Sequence, residues 1–380
     1  MLPGARPDVG PPPRFWAAEP RLGFGAWAVG GAGWGRGRGR GPHDESDRIA
    51  TVARAAERGV SFFDTAPTYG DGASESLLGR ALRPHRARVT IATKVGPHAD
   101  PRASLEASLR RLQTDYVDLV QLHETADGWE RQLEQLDALR QAGKARAVGL
   151  CNATHLQLAR ANELVPLAAY QGPYNLFDRD AEQRALPLCR EREVAFLAYR
   201  PLAAGLLTGK YATPPVFSAD DHRRGIYWFK GREFGRRRAA LDRLEPLARH
   251  LGMSLGALAL AWALARPGVA VVLAGARSAA QVDQNLAATE RALTPDAVAR
   301  VDAVVREAFP PPRASERARA LAAAWGERER HIVERLDGGT SYEAIAASWT
   351  DRGQQPMIAA QVKVFCDQLT EQGLVISDAE

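Results

Sequence analysis

A chain of 380 residues, 45% hydrophobic, can bury one large core plus a small appendage, and its three cysteines lack the spacing of a disulfide framework or zinc site. The net charge of +5 rests on arginine and lies ahead of residue 313, since 313–380 carry 8 basic and 11 acidic side chains; this suits an anionic ligand such as a dinucleotide phosphate, whereas scattered arginines without an aromatic–basic ladder speak against nucleic acid. No apolar run approaches the ~20 residues of a membrane helix and the first residues hold no signal core, so a soluble cytoplasmic protein is expected.

Residues 1–20 read as a flexible arm, with Pro11-Pro12-Pro13 unable to continue any ladder. RLGFGAW (21–27) reads as the first strand, and 29–44 as a Gly-rich loop carrying Trp34 and three arginines. An alternation then recurs. Helical 47–58 precedes strand 60–64, and helical 74–82 precedes 89–93. Helical 101–113 precedes 117–122, and helical 127–142 precedes 145–150. Helical 153–163 precedes 167–171, and helical 179–192 precedes 194–199. A basic segment, 208–240, shows no clear periodicity. SLGALALAWALA (254–265) reads as a buried helix, VAVVLAG (269–275) as the eighth strand, and 278–288 as its helix.

Eight short apolar runs alternating with helices argue for parallel βαβ units. No GxGxxG joins the first strand to its helix, which favours a closed (β/α)8 barrel over an open dinucleotide-binding sheet. After the break at Pro310-Pro311-Pro312, three or four short amphipathic helices and a small strand are expected. The division is therefore an arm over 1–20, a barrel over 21–312 and a helical domain over 313–380.

Four ionisable residues stand at or just past strand ends: Asp64 after Phe62-Phe63, Tyr69 in the following loop, Lys94 closing VTIATK and His123 closing VDLVQLH. At one rim of a parallel barrel these groups can perform proton transfer on a carbonyl. A free tyrosine has a pKa near ~10 and is a poor acid at neutral pH. A nearby ammonium lowers that value. Lys94 is read as that ammonium, Asp64 as its ion-pair partner, Tyr69 as the proton donor and His123 as a second donor that orients the substrate. Trp27 and Trp34 are candidate pocket walls.

The motifs FFDTAPTYG, SESLLGRAL, ATKV, DYVDLVQLH, GKARAVGLCNAT, YRPLAAGLLTGKY and GARSAAQVDQNL occur in order along 21–286. By them the chain resembles an aldo-keto reductase. The resemblance implies a (β/α)8 barrel that uses NADPH to reduce small-molecule aldehydes and ketones. It places Asp64, Tyr69, Lys94 and His123 at the catalytic positions. It implies a coenzyme site after the eighth strand, with Gly275 allowing close approach, backbone N–H groups near Ser278 receiving phosphate and Arg277 reading an adenosine 2′-phosphate. Gln281 and Asn285 look toward the adenine, Asn152 and Gln171 look like carboxamide partners, and Tyr199 looks like the stacking aromatic. Leu202, Leu206, Thr208 and Lys210 fall in the loop over the pyrophosphate. Two positions depart from the usual pattern: Cys151 and Arg200 stand where many relatives have serine.

Residues 313–380 lie outside that resemblance. By IVERLDGGTSYEAIAASW and VKVFCDQLTEQGLVI they resemble the helical part of winged-helix modules and of small peptide-binding domains such as the pyrroloquinoline-quinone peptide chaperone, without the N-terminal β-hairpin of the latter. A generic helical appendage is the first reading, and recruitment of a peptide- or carrier-tethered substrate is the second. A coenzyme-sensing barrel with little turnover stays open beside the reductase.

Overall fold

The computed structural model describes residues 21–31, 44–219, 221–309, 313–314, 326–336, 340–350, 361–363, 365–366, 369 and 375–376. These fall into two compact units, the first ending at Val301 and the second beginning at Asp302.

In the first unit eight parallel strands close into a barrel in chain order. The strands are β1 (Leu22–Gly25), β2 (Phe62–Asp64), β3 (Thr90–Val95), β4 (Leu119–Leu122), β5 (Val148–Cys151), β6 (Leu167–Pro173), β7 (Ala195–Tyr199) and β8 (Val269–Ala274). Pairing of Leu22, Gly23 and Phe24 with Val272, Leu273 and Ala274 shuts the ring. Side chains alternate across a strand, and that period builds the interior. One layer is apolar: Phe62, Ala92, Leu119, Ala147, Ala169, Leu197, Val271 and Leu273 form one cluster. Two residues further along the same strands stand Asp64, Lys94, Gln121, Gly149, Gln171 and Tyr199. The barrel is thus oily below and polar above, and the polar layer opens at the strands' C-terminal ends, where such barrels carry their chemistry.

The helices on the outside are α1 (Glu45–Glu57), α2 (Ala73–Leu82), α3 (Pro101–Leu112), α4 (Trp129–Gln141), α5 (His155–Leu164), α6 (Ala185–Glu191), α7 (Gly231–His250), α8 (Leu255–Leu264) and α9 (Ala279–Leu286), and a further helix, α10 (Pro295–Ala308), runs across the boundary between the two units. Their starts are locally encoded. Asp44, Asp100, Ser254 and Ser278 each accept a backbone N–H from the first turn, and Thr154 with Gln157 forms a reciprocal capping box. Helix α8 is buried over Ala257–Ala263, in keeping with its all-apolar sequence.

The sequence reading is revised at three places. The segment 208–240, without visible period, contains the first half of the 20-residue helix α7. A charged residue, Arg237, sits on its buried face and is paired with Glu233, which hides the apolar stripe. Helix α10 fills the stretch between the helix read at 278–288 and the proline break, where no element was read from the sequence. Helix α6 is shorter than 179–192, because a 3-10 turn over Asp180–Glu182 precedes it.

In the second unit, helices Glu327–Glu334 and Tyr342–Thr350 share a core of Ile332, Val333, Leu336, Ile345, Ala346, Trp349, Val362, Cys366 and Leu369. Strand Arg313–Ala314 pairs antiparallel with Val375–Ile376. His331 is buried there, 2.9 Å from Ser348 Oγ. Among the described residues no single helix is long and apolar enough to cross a membrane.

Candidate active site

Asp64 is the last residue of β2, Lys94 lies within β3, and His123 follows β4, its N–H bonded to the Val95 carbonyl at 2.8 Å. Tyr69 arrives from a turn whose shape needs glycine. Gly70 has φ 61°, and a Cβ there would collide with the Gly30 carbonyl oxygen. That close backbone approach fixes the tyrosine loop against the end of the 3-10 turn Ala26–Val29 that follows β1.

Lys94 is fully enclosed, and each of its three N–H bonds has an acceptor. Its Nζ donates to Asp64 Oδ1 (2.8 Å) and Oδ2 (2.7 Å), to the Thr65 carbonyl (2.8 Å) and to Tyr69 Oη (3.2 Å). The phenol oxygen therefore accepts from Lys94, and the phenol's own hydrogen is free to point outward. The His123 ring stands edge-on to Tyr69 with centroids 6.1 Å apart. The four residues expected to act together do meet.

The charge states differ from expectation in one respect. Burial pushes the Tyr69 phenol up to about 12, outweighing the downward pull of Lys94. The lysine was expected to make this tyrosine more acidic; desolvation of the phenolate wins instead. Burial disfavours the Lys94 charge, but Asp64 more than offsets it, and the ammonium is held firmly protonated. Burial, then Lys94, lowers His123 to about 3, so its imidazole is neutral. Another buried carboxylate, Glu75, is consumed structurally by Thr93 Oγ1 (2.5 Å) and Arg111 Nε (2.6 Å).

The remaining predicted residues line the same rim. Asn152, at φ 53°, donates to the His123 carbonyl (3.0 Å) and accepts from Tyr199 Oη (2.8 Å). Gln171 is buried, with Nε2 2.8 Å from Asp64 Oδ1. Arg200 is exposed at φ 54°, its guanidinium 5.5 Å from the Tyr199 ring centre. Leu202 caps a 3-10 segment, Ala203–Thr208, that contains buried Leu206, and Lys210 is exposed just beyond it. At the end of β8, exposed Gly275 accepts from Asn285 Nδ2 (3.3 Å). Ser278 caps α9, and Gln281 Oε1 accepts from the Arg277 N–H (2.8 Å). Trp27 is half-buried, its ring centre 4.1 Å from that of His222. Trp34 lies outside the described residues.

Arg277 tests whether a phosphate fits. Its Nε is buried and has no hydrogen-bond partner among the described residues. Burial, followed by the nearby Arg223 charge, weakens its hold on its proton. A guanidinium left in that state is a place for an anion.

Sequence reading missed two groups. Gln121 joins Asp64, Gln171 and Cys151 in the polar layer. Its signal was parity, since it lies two residues from both Leu119 and His123. Asp221 and Arg223, a buried ion pair bound in turn to Tyr211 Oη (3.0 Å), influence Arg277 from the segment after β7. No periodic pattern marks that segment.

Comparison with known proteins supports the same reading. The aldo/keto reductase family profile matches residues 21–306. Aldo-keto reductase YhdN of Bacillus subtilis (strain 168) is 37% identical over 281 residues, covering 69% of this chain and 83% of the relative. Probable aldo-keto reductase 1 of Glycine max is 32% identical over 287 residues, 70% of this chain and 80% of the relative. Among solved structures, the glycerol dehydrogenase AKR11B4 from Gluconobacter oxydans superposes with a TM-score of 0.69 at 33% identity, covering 76% of this chain and 92% of that one. An aldo-keto reductase from Klebsiella pneumoniae in complex with NADPH gives 0.61 at 28% identity, with 78% and 95% covered. With the barrel, the clustered acid, phenol, amine and imidazole, and this match over most of its length, the chain belongs to the aldo/keto reductase family.

Proposed function

We propose that the chain is an NADPH-dependent reductase of aldehydes or ketones in which Tyr69 is the proton donor. The observation that carries this is the Lys94 ammonium, bound at once to Asp64 and to the Tyr69 oxygen at the mouth of the barrel. A bound reduced nicotinamide supplies the hydride that the carbonyl carbon takes. As the carbonyl π electrons move onto oxygen, Tyr69 gives that oxygen its proton and becomes a phenolate. Lys94 stabilises the phenolate across 3.2 Å, and Asp64 keeps Lys94 charged and in place. Neutral His123 offers an N–H to the same oxygen. The phenolate then regains a proton from solvent. Arg277, Gly275 and Ser278 would hold the coenzyme phosphates, and Asn152, Gln171 and Tyr199 the nicotinamide end. The reading is tested by following NADPH consumption with a panel of aldehydes and ketones. Absence of turnover with every carbonyl, despite coenzyme binding, would favour a coenzyme-sensing barrel.

Two further results are expected. With Tyr69 near 12, the acid form is full across the neutral range, so reduction shows no alkaline limb from this group between about pH 6 and about pH 9. Alcohol oxidation needs the phenolate and should rise by about tenfold per pH unit over that window. Initial rates in both directions check this; a reduction rate that collapses just above neutrality would count against Tyr69.

Arg277→Ala should erase most of a preference for NADPH over NADH. A charge-assisted contact to phosphate contributes roughly 1.5–3 kcal/mol, or about ten- to a hundredfold. Fluorescence titration of both coenzymes decides it. Equal affinities in the unmodified chain would contradict the assignment. Residues 313–380 are read as an appended helical domain, supported by the separate core around Ile332 and Trp349.

A further inference from the structure

Gln121 is a buried member of the polar layer to which the carbonyl chemistry gives no task. It pairs across the sheet with Lys94 on one side and Gly149 on the other. Its amide meets three groups. Nε2 donates to Asp64 Oδ1 at 3.4 Å, and Oε1 accepts from the Cys151 thiol at 3.4 Å and from Gln171 Nε2 at 3.5 Å. These bonds are long, but the site is closed to water, and a buried amide without partners is worse off than one with long bonds.

The direction of each bond is dictated from the two ends of the network. An ionised carboxylate only accepts, so both amides must turn their NH2 groups toward Asp64. The Cys151 thiol keeps its proton, because burial raises its pKa far above the usual range, so it donates to Gln121. Gln171 then has one hydrogen on Asp64 and the other on Gln121. What it can offer a ligand is its carbonyl oxygen.

We propose that Gln121 is a positioning residue, which holds the Asp64 carboxylate toward Lys94 and locks the Gln171 amide so that it accepts an N–H from the carboxamide of a bound coenzyme. The proposal rests on the coenzyme reading above. Gly149 supports it independently. A Cβ at that position would lie 2.9 Å from Gln121 Cγ, so the interior has room for this side chain only because residue 149 lacks one.

The test compares full-length Gln121→Met, Gln121→Glu and Gly149→Ala with the unmodified chain. The readouts are kcat for NADPH-dependent reduction of an aldehyde and fluorescence-titrated affinity for NADP+ against its acetylpyridine analogue, which has no carboxamide N–H. Thermal melting checks folding. The unmodified chain should favour NADP+ by about tenfold, the size of one hydrogen bond. Gln121→Met should abolish that preference and lower kcat by about ten- to a hundredfold. Gln121→Glu keeps the acceptor for Gln171 but sets a second carboxylate beside Asp64, so it should keep the preference and lose kcat. Gly149→Ala, which removes no polar atom, should move both readouts in the direction of Gln121→Met. If the methionine variant does not fold, the other two decide. A folded Gln121→Met with unchanged preference and kcat, or a Gln121→Glu with unchanged kcat, would overturn the proposal. A chain that neither binds NADP+ nor turns over would overturn the coenzyme reading and this proposal with it.

Discussion

Replacing Tyr69 by phenylalanine is expected to lower carbonyl reduction by about a hundred- to ten-thousandfold, the range that a positioned general acid contributes, while coenzyme affinity stays within about twofold. The reason lies in where each hydrogen goes. Lys94 spends its three hydrogens on the Asp64 carboxylate, the Thr65 carbonyl and the Tyr69 oxygen, so it has none left for a substrate. His123 is neutral and has no acidic proton at ordinary pH. Of these groups the phenol alone has a proton to give up, while the His123 N–H can serve as a hydrogen-bond donor. Phenylalanine keeps the ring and its edge-on contact with His123, so the variant isolates the hydroxyl. Single-turnover rates with saturating NADPH, beside a coenzyme titration, measure the effect. Near-normal turnover by Tyr69→Phe would end the assignment of this residue.

Lys94→Met should abolish turnover and also destabilise the fold. The Asp64 side chain is 5% exposed, and the variant leaves its carboxylate without the ammonium that neutralises it. Breaking a buried pair by removing one partner costs about 3–5 kcal/mol. Two amides, Gln171 and Gln121, still donate to Asp64, which places the expected loss nearer the lower figure. Urea denaturation of Lys94→Met and of the double variant Asp64→Asn with Lys94→Met separates the two effects. The double variant carries no stranded charge and should regain much of the stability, yet remain inactive, because nothing then stabilises the Tyr69 phenolate. An active double variant would show that the ammonium serves stability alone.

Much of this site was legible because its residues sit where the chain announces a strand ending. Asp64 follows two phenylalanines, Lys94 follows an apolar run that the register carries into β3, and His123 follows VDLVQL. Helix starts were legible for the same local reason, as at Asp100-Pro101 and Ser254. Properties that depend on depth were not. Lys94 beside Tyr69 predicts an acidic phenol only if both stay hydrated; enclosure reverses the balance. Gln121 reads as one polar residue in an apolar strand until the register sets it against Gly149 and across from Asp64. Helix α7 was obscured because Arg237 points inward while lying among outward arginines, so composition and periodicity disagreed.

The central claim is that hydride passes to a carbonyl carbon while Tyr69 protonates its oxygen, and it can be traced with isotope. The unmodified chain is given NADPH deuterated at the transferable position and an aldehyde that it reduces, in ordinary water. The account predicts an alcohol carrying deuterium on the former carbonyl carbon, one atom for each NADPH consumed. The complementary run, unlabelled NADPH in heavy water, should leave that carbon free of deuterium. Label at the carbon from solvent, or NADPH consumed without labelled alcohol, would contradict it.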